Sequence, residues 1–549
     1  MLISTSFIFI ILLSIIGYSC FFKFYITNNK EAVQNSDIIY GFFLIITLSV
    51  LLNFFFALKY FSYIIIFLGL FFFCRYKIKK LIELNYLVYF LILFFLCFIT
   101  YLHGDNVDSP MYHLQIIKWI NIEKTIFGSS NLEIRYGVNS SWFNLLSLFK
   151  LEYKNYSNLY FLNYLPFTIL IYEIFSKKNI NLSFSYLYLF TFICFLFFFS
   201  FLHPFRNGVI LNHLHNTEVD TVGMVFFALT MYFFLKYFEK KKINYFYLVL
   251  LSSIICATIK LSYIGCLLFP IFLFLSFKKE IINYLFKVKL LFSILLLFFS
   301  WITKGIISSG CLIFPVSKTC FDFSWSPGIA GIEEYSNIVK SFARDTPLRL
   351  KYYDFDHTIN SYNWVYPWIK EYYLINALLI IATSILLISI SLIIINIIFF
   401  RFKIKMFNKK VYIYSILILL VNLFIWFQAP EIRFGWATII SLPCIVFLIF
   451  FESFFLKKYL NVNRLKLLTL ICLGLIFFDN INNLSIKNLY TPYTKSYDYS
   501  LITQLGEFDG QIIYVSQNWK CADFEKICVN IPKENYNIKK IDGYIYITK

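Results

Sequence analysis

Charge is what this 549-residue sequence has little of. Asp, Glu, Lys and Arg together make up 14% of it, where an ordinary soluble domain carries roughly 25%. With 60% hydrophobic residues and a mean hydropathy of +0.71, a water-soluble globule of this length is excluded. The first apolar stretch has neither a basic leading segment nor a small-x-small cleavage site, so it reads as a retained helix and not a removed leader. No Gly-rich phosphate loop, HExxH, GxSxG or EF-hand pattern occurs, which removes the activities those motifs mark. No repeat of fixed period is present, which argues against a solenoid or propeller.

Long apolar runs take the place of charge. Stretches of about 20 residues recur along nearly the whole chain, enough to cross a hydrocarbon core at 1.5 Å per residue. The aromatic content of 22%, with 69 Phe and 42 Tyr, exceeds what interfacial belts need. Phe, Ile, Lys, Asn and Tyr are inflated together, the mark of an AT-rich coding bias. The net charge of +19 does not point to nucleic acid. Lys and Arg cluster in short loops at alternate ends of the apolar runs, as at Arg75-Tyr76-Lys77, Lys177-Lys178, Lys240-Lys241-Lys242, Lys278-Lys279 and Lys457-Lys458. That is the positive-inside pattern of a multi-spanning membrane protein.

The expected fold class is therefore an all-α polytopic membrane protein of about fourteen spans. The expected ranges are about 5–22, 38–57, 60–74, 83–101, 157–175, 182–201, 219–237, 244–260, 261–277, 284–302, 373–400, 411–428, 434–455 and 465–479. Placing the basic clusters inside leaves 102–156, 202–218, 303–372, 429–433 and the tail from about 480 outside, with both chain ends extracytoplasmic. Three regions are expected: N-terminal helices over 1–82, a membrane core over 83–479 with outer loops 102–156 and 303–372, and a small extracytoplasmic α+β module over 480–549. The module's strand-like runs are Gly510–Val515 and Ile541–Ile547, bounded by Gly and Asp.

Of twelve cysteines, eight lie in apolar runs, where Cys behaves as a small apolar residue. The others form two close pairs, Cys311/Cys320 and Cys521/Cys528. Both pairs fall in outward segments, where oxidation is permitted. Their spacings are not C-x2-C and the tail has no His nearby, so disulfides are favoured over zinc.

Polar residues that topology does not require collect on the outer face. Gly104 to His113 carries Asp105, Asp108, Tyr112 and His113 at the mouth of the fourth apolar run, and carboxylates beside a bilayer are costly. Asp108-Ser109-Pro110 is also a helix-start signal, with Asp108 as a plain N-cap the structural alternative. The Tyr112, Ile116, Trp119, Ile120 spacing predicts an amphipathic helix at the membrane surface. Glu218 and Asp220 open the seventh run, Lys260 sits at a turn between two runs, Lys304 follows the tenth, and Glu431 and Arg433 form a short turn. Cations with carboxylates on one face suit an anionic lipid headgroup and an activated nucleophile or metal.

Those residues also carry a resemblance. Asp108 to His113, Lys118-Trp119, Asn131-Leu132, Arg135, Gly137 and Asn139-Ser140-Ser141-Trp142-Phe143 resemble an uncharacterised family of bacterial multi-spanning proteins. Its form there is roughly D-T-G-x-Y-H, K-W, N-L-H-x-R-x-G-x-N-S-S-W-F. Glu218-Val219-Asp220, Lys260-Leu261-Ser262, Ser309 to Pro315 with Trp325, Ala429 to Phe434 and Cys521…Cys528 fit as well, so the likeness covers about residues 80–549. Glu133 stands where that form has His, and Ser109-Pro110 where it has Thr-Gly. That family resembles in turn the C-type glycosyltransferase superfamily, whose typical adjacent acidic pair is absent here, Asp105 and Asp108 standing three residues apart. The resemblance implies a glycosyltransferase of the bacterial cytoplasmic membrane. It would move a sugar from a polyprenyl-phosphate donor to an extracytoplasmic glycan or lipid-linked acceptor, in contact with membrane lipids and no nucleic acid. Asp108 or Asp105 would be the catalytic carboxylate. Arg135, Lys260, Lys304 and Arg433 would hold the donor phosphate. Tyr112, His113, Glu218, Asp220 and Glu431 would serve the acceptor or support the site, with a divalent cation as candidate cofactor. A lipid or polysaccharide transporter and an O-antigen polymerase or ligase are the alternatives.

Overall fold

The fold is seen in a computed structural model. It describes residues 2–27, 31–100, 108–153, 156–175, 183–202, 216–285, 287–345, 355–373, 377–399, 409–453, 463, 465–471, 474, 499–508, 511–518, 520–524, 526–530 and 537–548. Asp105 lies outside the described residues. Long apolar runs become helices because their backbone polar groups can then be satisfied within the segment. Among the described residues six helices are long and apolar enough to cross a membrane: those within Leu2–Thr27, Asn35–Phe55, Val219–Lys240, Val288–Ser309, Lys410–Phe427 and Ile432–Ile449. Six shorter apolar helical segments lie among them, including Phe184–Leu196, Ile243–Ile259 and Leu261–Ser276.

Val219–Lys240 is the centre of the bundle, with its apolar window fully buried. It turns sharply into Ile243–Ile259 at Lys241, which takes a left-handed backbone at φ +50°. Its other neighbours are Phe184–Leu202 and Ile432–Ser453. At the N-terminal side, Leu2–Thr27 packs against Ser62–Ile78 through two glycines. A Cβ on Gly17 would lie 1.9 Å from the Gly69 carbonyl oxygen, so only the smallest residue permits this approach.

Buried charge is not confined to the outer loops. Lys23 pairs with Asp37 at 2.8 Å, and Lys236 pairs with Glu173 at 2.8 Å. Asn35 donates to Glu173 and Asn244 to Asp37, joining both pairs to the surrounding helices. Such pairs are sustained only when the remaining lone pairs are satisfied.

The first outer loop is more deeply packed than an interfacial helix would be. Ser109–His113 forms a π-helical turn that runs into the helix Leu114–Ile122. Ile116, Trp119 and Ile120 are buried, the helix packing against Ser141–Leu148 and Leu58–Tyr60, and the tail binds the turn before them. The Ala522 amide donates to the Pro110 carbonyl, Asn530 to that of Met111, Gln115 to that of Phe524, and Tyr136 to that of Cys528. The surface helix expected from its spacing is thus an internal element.

The tail's described residues include five strands and no helix. Ile502–Phe508 pairs antiparallel with Gln511–Ser516, which pairs parallel with Ile527–Val529. Asn537–Ile541 and Tyr544–Thr548 form a hairpin turned at Asp542-Gly543, both at positive φ as the tight hairpin turn requires. The hairpin docks through a parallel bridge between Phe127 and Tyr546. Gly128, at φ +70°, allows it: a Cβ there would stand 2.2 Å from the Ile547 carbonyl oxygen. Both expected disulfides are formed, Cys311–Cys320 and Cys521–Cys528.

Candidate functional site

Asp108 does not cap its helix. Its backbone is itself helical and its side chain makes no capping bond. One of the two amides it would cap belongs to Pro110, which has no N–H. The carboxylate is instead bound from across the chain. Arg433 Nη1 donates to Asp108 Oδ2 at 2.7 Å and to Glu218 Oε1 at 2.7 Å, while its Nε lies 3.6 Å from Glu431 Oε1.

Next to this cluster a further pair forms. The Lys260 ammonium donates to Asp220 and sits 4.1 Å from the Phe434 ring centroid. Tyr263 donates to the backbone carbonyl of Asp220 and lies within reach of that of Arg433. Six of the residues singled out in the sequence therefore come together: Asp108, Glu218, Asp220, Lys260, Glu431 and Arg433. They descend from four separate segments, set by the start of Val219–Lys240, the end of Ile243–Ile259, the start of Ile432–Ser453 and the π-helical turn.

The supports were not legible beforehand. Thr217 donates to Ser109 Oγ, which ties the π-helical turn to the start of the central helix. Asn163 donates to the carbonyls of Asn216 and Glu218 and accepts from the Trp142 indole. Trp426 donates to the Glu431 carbonyl. Each is a buried polar group placed to satisfy a backbone atom beside the site.

Exposure separates the carboxylates. The Glu218 and Asp220 side chains are 1% and 6% exposed, but that of Asp108 is 27%. Burial raises the Asp108 carboxyl, and the Arg433 charge and hydrogen bond, with help from His113, more than reverse it, leaving it below the ordinary value. It is ionised at neutral pH. His113 is buried, its Nδ1 has no hydrogen-bond partner, and its ring lies 5.0 Å from that of Phe143. Burial outweighs the attraction of Asp108 and Glu218, so its pKa falls to about 4 and it is neutral at pH 7.

The cations expected to hold a donor phosphate are distributed otherwise. Arg433 and Lys260 are already neutralised by carboxylates. Arg135 pairs with Glu133 at 2.8 Å and lies over the Tyr112 ring, 5.5 Å from its centroid. Lys304 stands apart: it donates to Asn144 Oδ1. A divalent cation does not fit the acidic cluster. Arg433 occupies the position between Asp108 and Glu218 that a metal would take, and among the described residues no three His, Cys, Asp or Glu groups come together to hold one.

No curated protein and no solved structure matches this chain. A family profile does match, over residues 1–440, a range that takes in all six clustered residues and the N-terminal helices. The chain belongs to the family described as domain of unknown function DUF8201.

Proposed function

We propose that the protein is a membrane glycosyltransferase of the C-type architecture, with about fourteen spans and both chain ends extracytoplasmic. In this reading it transfers a sugar from a polyprenyl-phosphate carrier to an extracytoplasmic glycan or lipid-linked acceptor. One observation carries it: a partly exposed, ionised Asp108, held by Arg433 among otherwise buried carboxylates at the outer ends of several helices.

An acceptor hydroxyl oxygen bonds to the sugar's anomeric carbon, and the bond from that carbon to the phosphate oxygen breaks. The hydroxyl proton passes to Asp108, and the polyprenyl phosphate leaves with the bonding pair. Arg433 fixes the Asp108 carboxylate, and Glu218 fixes Arg433. Because phosphate is already a competent leaving group, positioning and charge stabilisation are the protein's main tasks.

Asp108→Asn tests this. Asn preserves the shape and can still accept one bond from Arg433, but it cannot take a proton. Transfer in membranes of matched abundance should fall about 10²-fold or more. Near wild-type transfer by Asp108→Asn would return the residue to a structural role. A transporter is the second reading, and the buried Lys23–Asp37 and Lys236–Glu173 pairs favour it, since charges within spans often mark transport paths. It gains if Asp108→Asn retains activity while neutralising either inner pair abolishes it.

A further inference from the structure

We infer that the protein has a second site, built around Lys304, that binds a phosphate group and is distinct from the Asp108–Arg433 cluster. Lys304 lies near the outer end of Val288–Ser309 and is only 8% exposed. Its ammonium donates to the neutral Asn144 oxygen, and among the described residues no carboxylate pairs with it. Lys23, Lys236, Lys260, Arg135 and Arg433 each have a carboxylate. A buried cation without a counter-charge is costly, and an anion bound beside it removes that cost.

There is room for one. Lys304 lines a small cleft with about 40 Å³ of space open to water-sized groups. Lys124 lines it as well, a second cation whose ammonium sits over the Tyr544 ring of the docked tail. Ser140 Oγ and Asn139 Oδ1 belong to two further lining residues, and among the described residues neither buried atom has a hydrogen-bond partner. Native proteins leave few such atoms unsatisfied. A phosphate offers oxygens to the Ser140 hydroxyl and to both ammonium groups, and a protonated or hydroxyl-bearing ester also donates to Asn139. Lys serves as a point charge in this role, without the planar fork that pairs an Arg with a carboxylate.

The remaining wall is apolar, with Ile116, Ile120, Phe143 and Val138 among its residues. This suits a phosphate carried on a lipid, and a soluble phosphate ester is the other source of the same group. Phe143 lines the cleft and packs against His113, so one ring layer lies between the cleft and the turn that begins at Asp108. The inference does not depend on sugar transfer. Its test reads binding, and the Asp108→Asn test reads transfer, so either can fail alone.

The experiment uses the full chain in phosphatidylcholine nanodiscs, with thermal stability as readout. One arm adds inorganic phosphate and the other replaces part of the lipid with phosphatidic acid. A ligand bound only to the folded state raises the midpoint with concentration. We expect a concentration-dependent rise in at least one arm for wild type and for the exposed-surface control Lys59→Met. Lys304→Met should weaken the apparent affinity at least tenfold. Ser140→Ala, which breaks no hydrogen bond within the protein, should weaken it several-fold, and it keeps the inference testable if Lys304→Met does not fold. A response to phosphatidic acid alone assigns a lipid headgroup, and a response to inorganic phosphate assigns a soluble ester. No rise in either arm, or wild-type affinity in Ser140→Ala together with either Lys304→Met or Lys124→Gln, overturns the site.

Discussion

Replacing Arg433 with Gln should unfold the outer half of the site before it affects any ligand. Arg433 Nη1 serves Asp108 and Glu218 together, each at 2.7 Å. The Glu218 side chain is 1% exposed. Without the guanidinium, this buried carboxylate faces Asp108 and the nearby Asp220 with only the Lys260 charge in the neighbourhood. Four carboxylates (Asp108, Glu218, Asp220, Glu431) would then meet one cation, where they now meet two. Removing one partner of a buried ion pair costs about 3–5 kcal/mol, because the remaining charge stays desolvated. The Asp108 side, being partly exposed, contributes the smaller share. The assay is a double-mutant cycle of Arg433→Gln and Glu218→Gln, read by thermal or denaturant unfolding in nanodiscs. Each single variant should be strongly destabilised. The double variant should recover much of the loss, since two neutral amides can bond to each other. Strict additivity of the two, or an Arg433→Gln protein as stable as wild type, would refute the electrostatic account. It would return Arg433 to a free cation at the membrane surface.

His113 makes stability depend on pH. Its pKa is about 4 in the folded protein and about 6.5 in an unfolded chain, so between those values the unfolded state binds more protons. Stability conferred by the neutral ring is therefore fully present above pH 6.5 and is lost as pH falls towards 4, by up to about 1.4 kcal/mol per unit. Asp108, Glu218, Lys260 and Arg433 face it, and Asp108 stays ionised across most of that window. His113→Phe should flatten the unfolding-versus-pH curve between pH 6.5 and 5; an unchanged slope would assign it to another group. Cys521→Ser should release the tail from the first outer loop. Closing so short a loop contributes roughly 2–3 kcal/mol, and residues 521–530 supply the bonds to Pro110 and Met111. Limited proteolysis should cut the variant in the tail far faster than wild type; equal rates would show that docking does not need the disulfide.

Much of the helical scaffold was legible because apolar runs have one low-cost solution in lipid. The expected 219–237 and 244–260 became Val219–Lys240 and Ile243–Ile259, and 38–57 became Ile38–Phe55. The disulfides were legible from the short separations of outward cysteines. What could not be read was pairing. Asp108 and Arg433 are 325 residues apart, and no local period records that they meet. An N-cap and a carboxylate held by a distant cation look alike in sequence, and Pro110 was the usable clue, since it removes one of the amides a cap would serve. The inner ion pairs were missed for a different reason. Glu173 and Lys236 fall among the last residues of the runs 157–175 and 219–237, whose mean hydropathy conceals single charges, and Lys23 and Asp37 lie just outside 5–22 and 38–57, where charge is ordinarily solvated.

The tail changes how the outer loop should be understood. Hydropathy treats 480–549 as an appendage, but its backbone completes the loop's hydrogen bonding. Phe127 exchanges bonds with Ile545 and Ile547, and Asn131 donates to the carbonyls of Ile547 and Trp325. Gln115 and Lys118 of the Leu114–Ile122 helix are thus bonded to a segment more than 400 residues away. The apolar face of that helix is covered by protein, largely Ser141–Leu148 and Leu58–Tyr60, so an amphipathic spacing suited to a membrane surface is found buried. The tail also places both candidate sites under common support. The π-helical turn that begins at Asp108 is bonded to Ala522 and Asn530, while Lys124 at the phosphate cleft rests on Tyr544. Loosening the tail should therefore disturb the carboxylate cluster and the cleft together, whereas Lys304 and Asp108 substitutions should act on one each.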